Sequence, residues 1–170
     1  MKLSAPRGLT LALFAAVLGL THPLAAQAAD GHQYDACFSM VGSYYHINPL
    51  LLRAIARRES QFNPLAINRN HDSSIDLGLM QINSNHLPDL VKAGFSTSLL
   101  GMARRLLNEP CLNIGVGAAI LAGDVRTYGM TWNAIGAYNA RDPLKRKVYA
   151  YGIATNLIGE LRAVQKKDGN

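Results

Sequence analysis

Asn48-Pro49-Leu50-Leu51-Leu52-Arg53-Ala54-Ile55-Ala56-Arg57-Arg58-Glu59-Ser60 carries its own helix start and its own inward face. Asn48 suits the N-cap, because its side-chain oxygen can accept from a backbone N–H of the first turn. Pro49 follows at the first helical position, where a missing N–H costs nothing. Leu52, Ile55, Ala56 and Glu59 fall at i, i+3, i+4 and i+7 and share one stripe, and the helix must end before Pro64. The oddity is Glu59, a carboxylate on the apolar stripe while Arg57 and Arg58 point elsewhere. Taken alone it admits two readings. One is a structural glutamate, paired with an arginine or closing the helix. The other is a working acid, because partial burial penalises the charged form and raises the pKa toward neutrality, as proton donation requires.

Outward from this segment the chain reads as further helices. Tyr34 to Tyr45 sets Cys37, Met40, Val41 and Tyr44 at helical spacing and breaks at His46-Ile47. Residues 66–77 are polar and turn-rich, with Asn68, Asn70, Asp72, Ser73 and Ser74, and read as a surface connection or small hairpin. Pro88 to Ala93 and Ser96 to Asn108 read as short helices, separated by Gly94 and stopped at Pro110. Asn113 to Tyr128 is strongly apolar and rich in glycine and alanine, which allows close backbone approach, so it reads as the buried central helix ended by Gly129. Thr131 caps Trp132 to Ala140, and a last helix runs from about Leu144 to Val164 with a frayed tail, Gln165 to Asn170. The expected fold class is all-α, one domain over residues 29–170 with a polar loop or small hairpin between helices.

The first residues belong to a different kind of segment. Lys2 and Arg7 precede an apolar run from Leu9 to Leu20, too short for the ~20 residues of a membrane-spanning helix, and Ala26-Gln27-Ala28 offers an A-x-A cleavage site. Residues 1–28 therefore read as a secretory signal peptide, the mature chain beginning at Ala29 with no stable membrane insertion after cleavage. In an oxidising compartment the two cysteines, Cys37 and Cys111, are expected to pair, two buried thiols being the alternative. The large loop so closed would contribute roughly 4 kcal/mol. The formal charge is +6, or +4 once Lys2 and Arg7 leave with the leader. A bias this small suits an anionic wall polymer and suits simple solubility equally. The basic residues Arg141 and Lys145-Arg146-Lys147 are adequately explained as a solvated helix face, and no nucleic-acid partner is expected.

Three motifs surround the odd glutamate. Glu59-Ser60-Gln61-Phe62-Asn63-Pro64, Gly78-Leu79-Met80-Gln81-Ile82-Asn83 and Ala137-Tyr138-Asn139-Ala140 resemble, in order and spacing, those of the lytic transglycosylases with a goose-lysozyme-like (SLT) domain. The likeness runs from Cys37 to about Tyr151. Asp76-Leu77, Pro110-Cys111 and Tyr128-Gly129-Met130-Thr131-Trp132 extend it toward the small periplasmic members that accompany conjugation, type IV pilus and type III secretion systems.

The resemblance implies a lysozyme-like fold with Glu59 as catalytic acid/base. Met80 and Gln81 would line the glycan groove, and Tyr138 with Asn139 would approach the carboxylate from the other side. A side-chain amide such as Gln81 or Asn139 can meet an acyl-amino group in both directions, Met80 would give an adaptable apolar wall, and a tyrosine hydroxyl can hold reactive geometry. For Met80 and Ile82 core packing is the competing reading. Ser60 would orient the N-acetyl group or be a plain helix-end serine, and Gly78 is explained by backbone shape.

The chemistry turns on a missing partner. Most glycosidases use two carboxylates, yet the glutamates are only Glu59, Glu109 and Glu160, the last two in segments without motif character. Asp72 and Asp76, on the loop after the helix, are the only acids near the site in sequence, and either would more often be a turn-former. The family implies another solution, in which the substrate's N-acetyl group stabilises the cation and Glu59 moves both protons. Cleavage of the MurNAc–GlcNAc bond then leaves 1,6-anhydro ends with no metal or organic cofactor. A hydrolytic lysozyme using Asp72 or Asp76, and a non-catalytic wall-binding protein, are the rivals. The expected partners are peptidoglycan glycan strands and components of an envelope-spanning secretion, conjugation or pilus machine, met by a monomer in the periplasm.

Overall fold

In the computed structural model, residues 30–169 are described. The signal peptide expected at 1–28 and the expected start at Ala29 lie outside them. The Asn48 side chain accepts from the Leu50 N–H at 2.8 Å and opens a helix over Pro49–Ser60. Gln61 and Phe62, both with positive φ (53° and 63°), turn the chain out of it. This helix, α2, follows α1 (Asp35–Tyr45) and buries Leu52, Ile55 and Ala56 completely, as the stripe requires.

The polar segment forms more structure than a loop. β1 (Ile67–Arg69), β2 (Ile75–Leu77) and β3 (Ile82–Asn83) make an antiparallel sheet in the order β1-β2-β3, with Asn68 opposite Asp76 and Asp76 opposite Asn83. The tip is an Asx turn, in which Asp72 accepts from the Ser74 N–H and hydroxyl at 3.0 and 2.7 Å. The expected small hairpin is present and gains a third strand.

Four helices follow the short α3 (Leu87–Lys92): α4 (Leu99–Asn108), α5 (Pro110–Tyr128), α6 (Trp132–Ala137) and α7 (Pro143–Asp168). Their bounds correct several expectations. Ser98, not Ser96, caps α4. Pro110 does not merely stop α4 but starts α5, three residues before Asn113, since proline is tolerated in a first turn. α6 ends at Ala137, and α7 continues through the supposedly frayed tail to Asp168, where Gln165, Lys166 and Lys167 are good helix formers on an exposed face.

The central α5 packs on α1, α4, α6 and β3, while α2 lies between α1 and α7. Gly117 explains how α5 comes so near the sheet: a Cβ there would stand 2.9 Å from the Cβ of Met80. Asn113, fully buried on the same helix, donates to Leu77 O and Leu106 O and accepts from Met80 N–H at 2.7 Å, stapling the 77–80 turn to the core. At Gly78 φ is +74°, which a side chain would resist.

Cys37 and Cys111 are joined by a disulfide between α1 and the first turn of α5, 5.3 Å apart at Cα and 74 residues apart in sequence. Glu160, which has no motif character, is buried and receives Arg53 Nε at 2.9 Å and Arg57 Nε at 2.7 Å, tying α7 to α2. Arg53 also pairs with Asp35 and donates to the carbonyls of Asp30 and Gly31, fixing the N-terminal segment. Arginine therefore does pair with a helix glutamate here, but the glutamate is Glu160.

Candidate active site

Glu59 sits in the last turn of α2, partly buried, on the wall of an open cleft of about 820 Å³. The sheet and the turn between β2 and β3 supply one side of this cleft through Asp76, Asn83 and Gln81, and the segment after α6 supplies the other through Tyr138, Asn139 and Arg141. Burial is the main force on the Glu59 carboxyl, pushing its pKa up to about 7, with the Asp76 charge adding to the rise. Two groups oppose it. The Tyr149 hydroxyl donates to Glu59 Oε1, and Arg58 attracts the ionised form. A carboxyl in this state is a proton donor at neutral pH that can also act as base once ionised.

The other residues singled out in the sequence are not all in the cleft. Tyr138 and Asn139 line it. The Tyr138 hydroxyl, however, donates to Met80 O at 2.8 Å, and the tyrosine that donates to Glu59 is Tyr149, which lies outside the three motifs. The two rings stack at 6.5 Å, and burial raises both hydroxyls well above the usual tyrosine range. Gln81 lines the cleft, but its amide is committed to the fold: Nε2 donates to Ala66 O and Gly78 O, and Oε1 accepts from Asn68 at 2.6 Å. With φ of 48°, Gln81 is the turn residue those bonds hold in place. Met80 is fully buried against Gly117, so it is core rather than groove wall, whereas Ile82, also buried, reaches the cleft edge. Ser60 donates to Leu79 O at 2.8 Å and ties the end of α2 to the same turn.

The two aspartates separate clearly. Asp72 is the turn-former, its carboxyl held below the ordinary range by Ser74. Asp76 lines the same cleft as Glu59, close enough for its charge to raise the Glu59 pKa, with Oδ1 and Oδ2 receiving Asn83 Nδ2 at 2.7 Å and Asn70 Nδ2 at 3.0 Å. In the sequence Asn70 is only one of the turn-rich residues, Asn83 only the end of the second motif, and Tyr149 lies in no motif. Tyr149 did share a helical stripe with Ile153, Leu157 and Glu160, a signal for a core-facing residue but not for its partner.

Residues 36–152 match the transglycosylase SLT domain family. The chain belongs to that family. Among its relatives, invasion protein IagB of Salmonella typhi is 42% identical over 136 residues, covering 76% of this chain and 81% of the relative. A peptidoglycan-binding-like protein of Escherichia coli O157:H7 is 43% identical over 146 residues, covering 78% and 85%. Protein IpgF of Shigella sonnei is 40% identical over 111 residues, covering 65% and 69%. The SLT domain here is thus a lysozyme-like glycosidase of the transglycosylase type, and peptidoglycan is the substrate class consistent with it.

Proposed function

We propose that this SLT domain is a peptidoglycan lytic transglycosylase that cleaves the MurNAc–GlcNAc β-1,4 bond and leaves 1,6-anhydroMurNAc ends. The observation that carries the reading is Glu59, a partly buried carboxyl at the end of α2 on the wall of an open cleft, with its pKa raised to about 7. Protonated Glu59 gives its proton to the glycosidic oxygen as the C1–O bond breaks, and the substrate's N-acetyl oxygen stabilises the cation at C1. Glu59, now ionised, takes the proton of the C6 hydroxyl while O6 closes on C1. Protons and bonds balance without water, and Glu59 ends as it began. Tyr149 orients the carboxyl for both transfers, and Tyr138 and Gln81 hold the cleft wall.

A second reading has support in Asp76, whose two carboxyl oxygens receive the amides of Asn83 and Asn70 in the same cleft as Glu59. It would stabilise the cation directly, or activate a water and give hydrolysis instead. Glu59→Gln should abolish release of soluble fragments from purified sacculi while leaving the fold intact, and undiminished release would remove Glu59 from the mechanism. The cellular setting follows from the same reading: export by the 1–28 leader, residence in the periplasm, and local opening of the wall for an envelope-spanning machine. The name of the invasion protein relative is in keeping with that setting.

A further inference from the structure

α7 is apolar on two sides. Its inner side, with Tyr149, Ile153 and Leu157, packs on the core. Its outer side carries Leu144, Val148, Tyr151 and Ile158, which fall at i, i+4, i+7 and i+14 and so share a second stripe, about 21 Å long. These four stand 71, 63, 78 and 49% exposed. Thr155, also exposed, fills the gap at i+11. Trp132 of α6, half exposed, shares a shallow apolar groove of about 520 Å³ with Ala150, Tyr151 and Ala154, which widens the patch beside Tyr151. Single exposed apolar residues are ordinary on a protein surface, but a continuous stripe that the fold leaves uncovered marks a contact surface.

The charges around this stripe have one sign. Lys145 and Lys147 flank it at the start of α7, and Arg162 and Lys166 fall on it at i+18 and i+22. All four are exposed, and among the described residues none pairs with a carboxylate. The acids nearest in sequence are placed elsewhere: Asp142 is the N-cap, Glu160 is buried against Arg53 and Arg57, and Asp168 is the last residue of the helix. A second copy laid along the stripe would set cation against cation. A neutral glycan stacks on aromatic faces but gives the cations and the aliphatic side chains no partner. An anionic bilayer surface matches both, because apolar side chains enter the boundary between headgroups and acyl chains while lysine and arginine reach the phosphates. Among the described residues no single helix is long and apolar enough to cross a membrane, so the contact is one of adsorption.

We propose that the outer stripe of α7, with Trp132 beside it, docks the protein reversibly on an anionic phospholipid bilayer. The helix lies along the bilayer plane, with Leu144, Val148, Tyr151 and Ile158 at the headgroup boundary and Lys147, Arg162 and Lys166 on lipid phosphates. Lys145 also lines the cleft, which sets the cleft mouth beside that surface. Docking fixes where the enzyme works and not how it cuts, and Glu59 takes no part in it.

Trp132 is the sole tryptophan of the chain, so its emission reports on this patch alone. Vesicles of equal parts phosphatidylethanolamine and phosphatidylglycerol, added to the exported protein, should move that emission to shorter wavelength and carry the protein in flotation. Phosphatidylcholine vesicles should bind it roughly tenfold more weakly or worse. Lys147→Gln with Arg162→Gln should weaken partitioning by roughly thirtyfold, at about a factor of five for each cation lost. Val148→Ser with Tyr151→Ser should remove the emission shift. Both double variants change exposed positions and should melt with the parent. An emission that vesicles leave unmoved, equal binding to the two lipids, or undiminished partitioning of the Lys147→Gln, Arg162→Gln protein would overturn the proposal. A shift produced by soluble glycan fragments in place of vesicles would make the patch a sugar platform, and a parent dimer that Val148→Ser with Tyr151→Ser dissociates would make it a self-contact. Either result overturns lipid docking.

Discussion

Tyr149 on α7 donates its hydroxyl hydrogen to Glu59 on α2, across 90 residues of sequence. This bond works against burial, which alone would raise the carboxyl further. Tyr149→Phe should therefore move the alkaline limb of the kcat/KM profile to higher pH and lower its plateau by roughly tenfold to a hundredfold, because the carboxyl loses its orientation. A pH–rate profile reads both effects. A limb that stays where it was would mean that Tyr149 does not tune Glu59.

The same carboxyl couples stability to pH. Its pKa rises from 4.5 to about 7 on folding, so between those values the folded chain holds more protons than the unfolded one. The stability involved is fully present below about pH 4.5 and is lost as pH rises through about 7, a change on the order of 2 to 3 kcal/mol. Glu59→Gln removes this dependence. Urea unfolding should find the variant more stable than the parent at pH 8 by that order and close to it at pH 4. Equal stabilities at pH 8 would contradict a desolvated carboxyl.

Glu160 makes a contrasting prediction. It holds two arginines of α2 from a buried position far along α7. Glu160→Ala strands the buried Arg53 and should cost about 3 kcal/mol or more in denaturant unfolding, while KM of the folded fraction stays near the parent value. A mild effect on stability, or a specific loss of activity, would show that the pair is not structural.

The disulfide offers a further handle. Cys37–Cys111 anchors α5 to α1, and α5 carries the Asn113 staple beneath the cleft turn. Reduction, or Cys37→Ser, should lower stability by roughly 2 to 5 kcal/mol. Melting curves with and without reductant test this, and two thiols titrating in unreduced, unfolded protein would refute the bridge.

What could be read in the chain depended on range. α2 was legible because its cap, its first-turn proline and its stripe all lie within one segment, and the position of Glu59 followed from them. The sheet was less so, since two- and three-residue strands carry too few positions for alternation to show. Pro110 was misjudged because proline both ends and begins helices, and only packing decides which. In the site, the motifs located the right loops but not the job of each side chain. Met80 and Gln81 shape the turn from within, and the contacts of Tyr149 and Asn83 with the two carboxylates join residues whose encounter no local pattern records.

The most direct test of the account is the mass of what the enzyme releases. Purified peptidoglycan digested to completion should yield muropeptides ending in 1,6-anhydroMurNAc, each lighter by one water than its hydrolysed counterpart, and none from Glu59→Gln. Products with reducing MurNAc ends would contradict an intramolecular closure driven by Glu59 and would make Asp76 the partner of a hydrolytic reaction.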